Sequence, residues 1–62
     1  MSTASDLYDM DDDNVALKLA DHASILIEQK TIQGVDYITY NFRDGSKLTF
    51  GSNGYMGMEE KA

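Results

Sequence analysis

The chain lacks cysteine and has a single histidine. Short domains are often stabilised by disulfides or by zinc, but neither a disulfide nor a zinc site of cysteine and histidine can form here. Order must therefore come from a small core, from self-association or from docking onto a partner. Because missing cysteine fits a reducing compartment, we expect a cytoplasmic protein.

Long hydrophobic runs are missing as well. The longest aliphatic run is Ile25-Leu26-Ile27, which is far too short to cross a bilayer. Residues 1–10 contain neither a basic region nor an apolar stretch, so they do not resemble a secretory signal. We therefore expect no membrane partner.

Positive charge is scarce: the chain has five basic and eleven acidic residues, and its net charge is −6. The excess is local: residues 1–13 hold five aspartates and no base, whereas residues 14–58 hold four acids and four bases. The body of the protein is thus expected to be neutral. Direct binding to nucleic acid is not expected, because phosphate contacts need a basic surface.

The aspartate run is a poor match to a calcium loop. Asp9, Asp11 and Asp13 fit the first three ligand positions of an EF-hand, but Asn14 replaces the required glycine and Ala20 the required glutamate. We predict no metal site and interpret the run as a helix cap with a solvent-exposed acidic segment before it.

Catalytic and cofactor motifs are also lacking. Gly51, Gly54 and Gly57 do not have the spacing of a dinucleotide or phosphate loop. His22 stands alone, without the nucleophile and orienting acid that a catalytic arrangement needs. We therefore expect no cofactor and no enzymatic activity.

Hydrophobic patterning predicts an α+β fold. Asp11 or Asp12 can cap a helix near 12–22, which would cover a sheet through Val15, Leu19 and its alanines. Strands are predicted near 24–32, 35–43 and 46–51. This gives a short N-terminal helix packed on a three-stranded antiparallel β-meander; the alternative is a long helix through Lys30 plus one β-hairpin.

The strand register follows from keeping large apolar side chains on one face. A three-residue loop, Arg43-Asp44-Gly45, sets Tyr40 opposite Leu48 and requires a left-handed Gly45. A two-residue turn at Gln33-Gly34 then adds the upstream strand. The pairs predicted on this face are Ile25 with Phe42, Ile27 with Tyr40, and Ile38 with Phe50.

The ends of the chain are predicted to lie outside the fold. Residues 1–10 are expected to be a disordered acidic arm, residues 11–52 a single small domain, and residues 53–62 a flexible glycine-containing tail.

Two surfaces are predicted to bind a partner. The first is the arm, where apolar side chains alternate with acids: Asp6, Leu7, Tyr8, Asp9 and Met10. The second is an apolar group on the far face of the sheet: Leu26, Ile32, Val35 and Tyr37. Either the tail, a partner or a second copy of the chain, as a homodimer, would cover the second surface.

These features favour a small acidic, non-enzymatic module that binds a protein with a basic or partly apolar groove, as an inhibitor, adaptor or regulator. Such a chain would suit a phage or mobile element that acts on a host factor. The alternatives are a nucleic-acid mimic that inhibits a DNA- or RNA-binding enzyme, and a structural subunit of a homo-oligomer.

Overall fold

The computed structural model describes residues 2–60, which form two helices and one four-stranded antiparallel sheet. The elements are α1 (Thr3–Tyr8), α2 (Asp13–Ala23), β1 (Ser24–Ile32), β2 (Val35–Phe42), β3 (Lys47–Gly51) and β4 (Met56–Glu59). The strands lie in chain order across the sheet. The predicted α+β class is confirmed, but the sheet has four strands rather than three. No helix within residues 2–60 is long and apolar enough to span a membrane.

Helix α2 begins where the aspartate run predicted. Asp12 is the N-cap, and its Oδ1 accepts hydrogen bonds from the backbone N–H groups of Asn14 (2.9 Å) and Val15 (3.3 Å). The helix ends at Ala23, and the backbone is already extended at Ser24. The long-helix alternative is therefore wrong, and the segment rich in β-branched residues forms a strand.

The predicted hairpin registers are confirmed at both turns. Tyr40 lies opposite Leu48, and Gly45 has a φ of 88°. In the preceding turn, Gln33 and Gly34 have φ values of 51° and 79°, as a two-residue turn with two left-handed positions requires. The other pairs that agree with the prediction are Ile38 with Phe50, Ile27 with Tyr40, and Ile32 with Val35.

The predicted partnership of Ile25 and Phe42 is wrong. Phe42 lies opposite Ser24, and the ladder is irregular between Ser24 and Leu26. The extra residue at this β-bulge leaves Ile25 62% exposed. The strand starts directly after α2, and a bulge lets the chain change direction there without losing the register downstream.

The core lies between the helices and one face of the sheet, here called the inner face. Its buried members are Ala4, Leu7, Ala20, Tyr40, Phe42 and Leu48, and the half-buried side chains packed against them are Met10, Ile38, Phe50, Met56 and Met58. Helix α2 buries Ala16 and Ala20, whereas Val15 and Leu19, predicted to cover the sheet, stay more than 40% exposed. Small side chains allow α2 to approach closely, and Leu7 fills core space that α2 was expected to fill.

The predicted disordered arm of residues 1–10 is replaced by helix α1 over residues 3–8, and residue 1 of that arm lies outside the described part of the chain. The N-terminus of α1 meets the loop between β2 and β3: the Thr3 N–H donates to Asp44 Oδ2 (2.8 Å) and the Ala4 N–H donates to Ser46 Oγ (3.2 Å). Within the helix, the Ser5 N–H donates to Ser2 Oγ (3.1 Å). These acceptors satisfy three N–H groups that have no partner inside a helix, so α1 is held in place by a distant turn.

The predicted flexible tail is replaced, over most of its length, by a tight turn and β4. The Gly51 N–H donates to the Tyr55 carbonyl (2.8 Å), and Gly54 takes a φ of 92°. Met56 and Met58 then lie opposite Phe50 and Leu48 and extend the inner face. The last two residues of the predicted tail, 61 and 62, lie outside the described part of the chain.

Candidate protein-binding surfaces

Both helices pack on the inner face, which leaves the other side of the sheet, here called the outer face, without a helical layer. Antiparallel partners point to the same side, so the register assigns the outer face directly. Its ladder pairs include Leu26 with Asn41, Glu28 with Thr39, Lys30 with Tyr37, Ile32 with Val35, and Thr39 with Thr49.

An aromatic pair occupies one end of the outer face. The rings of Tyr37 and Tyr55 pack edge to face, with centroids 5.8 Å apart and an interplanar angle of 81°. Tyr55 lies over two glycines: a Cβ at Gly51 would come within 2.9 Å of Tyr55 Cβ, and a Cβ at Gly57 would overlap the phenol. Gly51 and Gly57, the second of which belongs to the predicted flexible tail, therefore leave room for Tyr55, which is still 52% exposed.

Three of the four residues predicted for this surface are neighbours in the structure. Ile32 lies opposite Val35 beside the turn, and Tyr37 is the next residue of β2 on the same face. Leu26 is separated from them, because it lies opposite Asn41, six residues and roughly 20 Å along the strand from Ile32. The apolar cluster of the outer face is therefore Ile32, Val35, Tyr37 and Tyr55, and it excludes Leu26.

A shallow groove of about 550 Å³ runs from this cluster across the outer face. Thr39 and Thr49 lie in it with their hydroxyl oxygens 3.0 Å apart. Its charged residues are balanced, with two acids and two bases: Glu28, Lys30, Lys47 and Glu59. A groove with balanced charges lacks the excess positive charge that binding of a polyanion requires.

The predicted acidic surface is only partly available. Asp6, Tyr8 and Asp9 are exposed on or beside α1. Leu7 is 7% exposed and belongs to the core, and Met10 packs against the core. The spacing of Ala4 and Leu7 on α1 directs these two side chains toward the sheet, so Leu7 is not available to a partner.

The two groups with shifted pKa values lie away from the outer face. Hydrogen bonds from the Ser46 hydroxyl (2.5 Å), the Thr3 N–H and the Ser46 N–H hold the pKa of Asp44 well below its usual range. Burial on the inner face raises the pKa of Tyr40, and the nearby Asp21 carboxylate adds to this effect. Both shifts arise from contacts that hold the fold together.

Within residues 2–60, no three side chains of histidine, aspartate or glutamate converge in a way that could hold a metal ion. Each buried side-chain nitrogen and oxygen of this part has a hydrogen-bond partner.

Tyr55 is the functional candidate that sequence reasoning missed. Its signal is an aromatic residue placed between Gly51 and Gly57, because glycines near an aromatic can leave room for its ring on a sheet. Comparison of the chain with protein-family models, with curated proteins and with solved structures finds no match.

Proposed function

We propose that this chain is a small non-enzymatic module that binds another protein through the outer face and thereby acts as an inhibitor, adaptor or regulator. One observation carries the proposal: the Tyr37–Tyr55 pair lies at the end of the groove, on a face that neither helix covers. The cytoplasm is the proposed setting, since the chain has no cysteine.

The character of the cluster supports a protein partner. Tyrosine is enriched at protein interfaces because it offers a large contact area and a hydroxyl at a small cost in conformational entropy. Ile32 and Tyr55 are both about half exposed, so a partner that covered them would remove apolar surface from water. The charged residues farther along the groove would form the polar rim of such an interface.

The acidic N-terminal part supports a partner with basic groups near its apolar surface. Asp6 and Asp9 are exposed, and the chain as a whole has a net charge of −6. Charge of one sign speeds the encounter with an oppositely charged partner more than it tightens the final complex. In this proposal the contacts of the outer face determine the affinity for the partner, and Asp6 and Asp9 increase the rate of association.

Nucleic-acid mimicry is the second candidate. The observation in its favour is that the acids of residues 6–13 belong to α1, α2 and their short connection rather than to a disordered arm. Carboxylates held on helices can imitate a row of phosphates better than a mobile segment can. The neutral composition of residues 14–58 argues against this candidate.

Binding measurements on a captured partner test both candidates. Tyr55→Ala should weaken binding about tenfold or more, as expected for an interface tyrosine, without unfolding the chain. Leu17→Ala is the matched control, because Leu17 is also exposed (37%) but lies on α2. It should bind like the parent chain.

Salt dependence separates the candidates. Binding through the outer face should persist at high ionic strength, whereas a mimic should lose affinity steeply. The double variant Asp6→Asn/Asp9→Asn should slow association and leave dissociation almost unchanged. If Tyr55→Ala binds normally while the Asp6→Asn/Asp9→Asn variant loses affinity, the acidic helices are the binding surface and the proposal is wrong.

A further inference from the structure

Strand β1 is a long edge strand of the sheet. Within residues 2–60 no strand pairs with its far side, and every residue from Ile25 to Ile32 is exposed. The opposite edge, β4, has only four residues, whereas β1 has nine. Because a long edge presents a row of unpaired N–H and C=O groups, proteins normally shorten, charge or cover it.

The backbone restricts how this edge could pair. Ile32 and Val35 close a two-residue turn, so the N–H and C=O groups of Ile32 and of alternate residues before it point toward β2. The groups of Ile27, Gln29 and Thr31 then point outward. Two copies of β1 can pair antiparallel about a two-fold axis that lies midway between the two copies of one residue. Side chains of the outer face then lie opposite side chains of the outer face of the second copy, and the same holds for the inner face.

Only one central register is self-complementary. With the axis at Gln29, Glu28 lies opposite Lys30 of the second copy, and Leu26 lies opposite Ile32 of the second copy. Each of these contacts occurs twice because of the symmetry.

The neighbouring registers are disfavoured. An axis at Glu28 sets two glutamates opposite each other and Leu26 opposite a lysine. An axis at Lys30 sets two lysines opposite each other and Glu28 opposite an isoleucine. Like charges directly opposite destabilise a ladder, whereas opposite charges and apolar pairs stabilise it. Axes farther out shorten the paired stretch.

We propose that two copies of this chain associate edge to edge through β1, about a two-fold axis at Gln29, to form one continuous eight-stranded sheet. Leu26, which lies apart from the apolar cluster of its own chain, then packs against Ile32 of the second copy. The two outer faces become one surface. This proposal concerns the edge of the sheet and stands independently of what the outer face binds.

Charge reversal tests the register in the absence of any other protein. Glu28→Lys and Lys30→Glu each set like charges opposite each other, so each should raise the dimer dissociation constant about tenfold at low salt. The double variant restores opposite charges and should return the constant close to that of the parent chain. Sedimentation equilibrium measures all four proteins.

Mixing the two single variants distinguishes pairing from a folding defect. Glu28 accepts a hydrogen bond from Asn41 Nδ2 (2.9 Å), so Glu28→Lys also removes a contact within the chain. In an equimolar mixture, the two single variants can form a heterodimer. Each pair of residues 28 and 30 across its interface then combines a lysine with a glutamate. The mixture should therefore dimerise more tightly than either variant alone, which damaged monomers would not do.

Cysteine cross-linking reads the register directly, because the chain has no cysteine of its own. Gln29→Cys sets the two sulfhydryl groups opposite each other, at a Cα separation of about 5.5 Å that suits a disulfide. The matched control is Thr31→Cys, whose copies lie four positions apart, about 13 Å along the strand. Under mild oxidation, Gln29→Cys should form a covalent dimer and Thr31→Cys should not.

The dimer proposal is overturned if the parent chain sediments as a monomer at every accessible concentration. It is also overturned if the double variant and the mixture stay as weak as the single variants, or if Thr31→Cys cross-links at least as readily as Gln29→Cys.

Discussion

The Ser46 hydroxyl connects the loop between β2 and β3 to α1, and its removal is the sharpest test of how the N-terminal segment is ordered. Ser46 is buried, accepts a hydrogen bond from the Ala4 N–H (3.2 Å) and donates one to Asp44 Oδ1 (2.5 Å). In Ser46→Ala, the Asp44 carboxylate keeps the backbone N–H groups of Thr3 and residue 46 as donors. The Ala4 N–H, however, loses its acceptor.

The size of the effect follows from the burial of Ala4. Ala4 has no exposed surface, so water cannot reach its N–H group unless α1 moves. A buried donor that loses its partner costs about 1–3 kcal/mol in the free energy of unfolding. A domain of this size has a margin of only about 3–5 kcal/mol, so the variant should lose a large share of its stability. The melting temperature should fall by about 4 °C or more.

Ser52→Ala is the matched control. Ser52 Oγ also accepts a backbone N–H, that of Asp36 (3.1 Å), but both residues are exposed, so water can replace the hydroxyl. The control should lose less than about 0.5 kcal/mol. Urea unfolding of both variants and the parent, at one protein concentration so that self-association contributes equally, gives the comparison.

Hydrogen exchange would locate the damage, with faster exchange expected first in residues 3–8. If Ser46→Ala and Ser52→Ala cost the same, or if residues 3–8 exchange freely in the parent chain, α1 is not anchored as described.

Further variants test the core, the turn, the N-cap and the carboxylate of Asp44, each by denaturant unfolding of the parent and the variant. Leu7→Ala should lower the free energy of unfolding by about 2–5 kcal/mol because it empties part of the core, whereas Tyr8→Ala, at an exposed residue, should lower it by less than about 1 kcal/mol. Equal, small losses would support the prediction that this segment is disordered. Gly45→Ala should cost about 1 kcal/mol, since φ is 88° there, and no cost would contradict the left-handed turn. Asp12→Ala should cost about 0.5–2 kcal/mol through the lost N-cap, and an unchanged midpoint would argue against that cap. The low pKa of Asp44 means that its stabilising contribution is complete above pH about 4 and is lost as pH falls through the lowered value. The stability difference between the parent and Asp44→Asn should therefore shrink in acid, and a difference that is independent of pH would refute this.

The candidate surface on the outer face was predicted in part. Ile32, Val35 and Tyr37 lie together on the outer face, as the register required. Tyr55 was missed because its position depends on the pairing of a short fourth strand, and Leu7 was assigned to the wrong environment because its position depends on a loop far away in the chain. Tyr55 reaches the outer face only because β4 pairs with β3, and Leu7 reaches the core only because α1 is held by the loop after β2.

The sequence by itself determined the features that local chemistry specifies. Asp12 starts α2 because its carboxylate reaches N–H groups two and three residues away. Gly45 and Gln33-Gly34 turn the chain, and the alternation of apolar residues then selects one register, since a slip by one residue would expose the whole apolar set.

Tertiary structure alone decided the two ends of the fold. A helix of six residues is too short to persist by itself, and α1 is completed by acceptors on Asp44 and Ser46, 41 and 42 residues along the chain. The four residues of β4 gain their order from pairing with β3, where Met56 and Met58 lie opposite Phe50 and Leu48. The acceptors that hold α1 lie far away in the sequence and leave no periodic signal within that segment, and β4 is too short to show one, so each end owes its order to contacts with the rest of the fold.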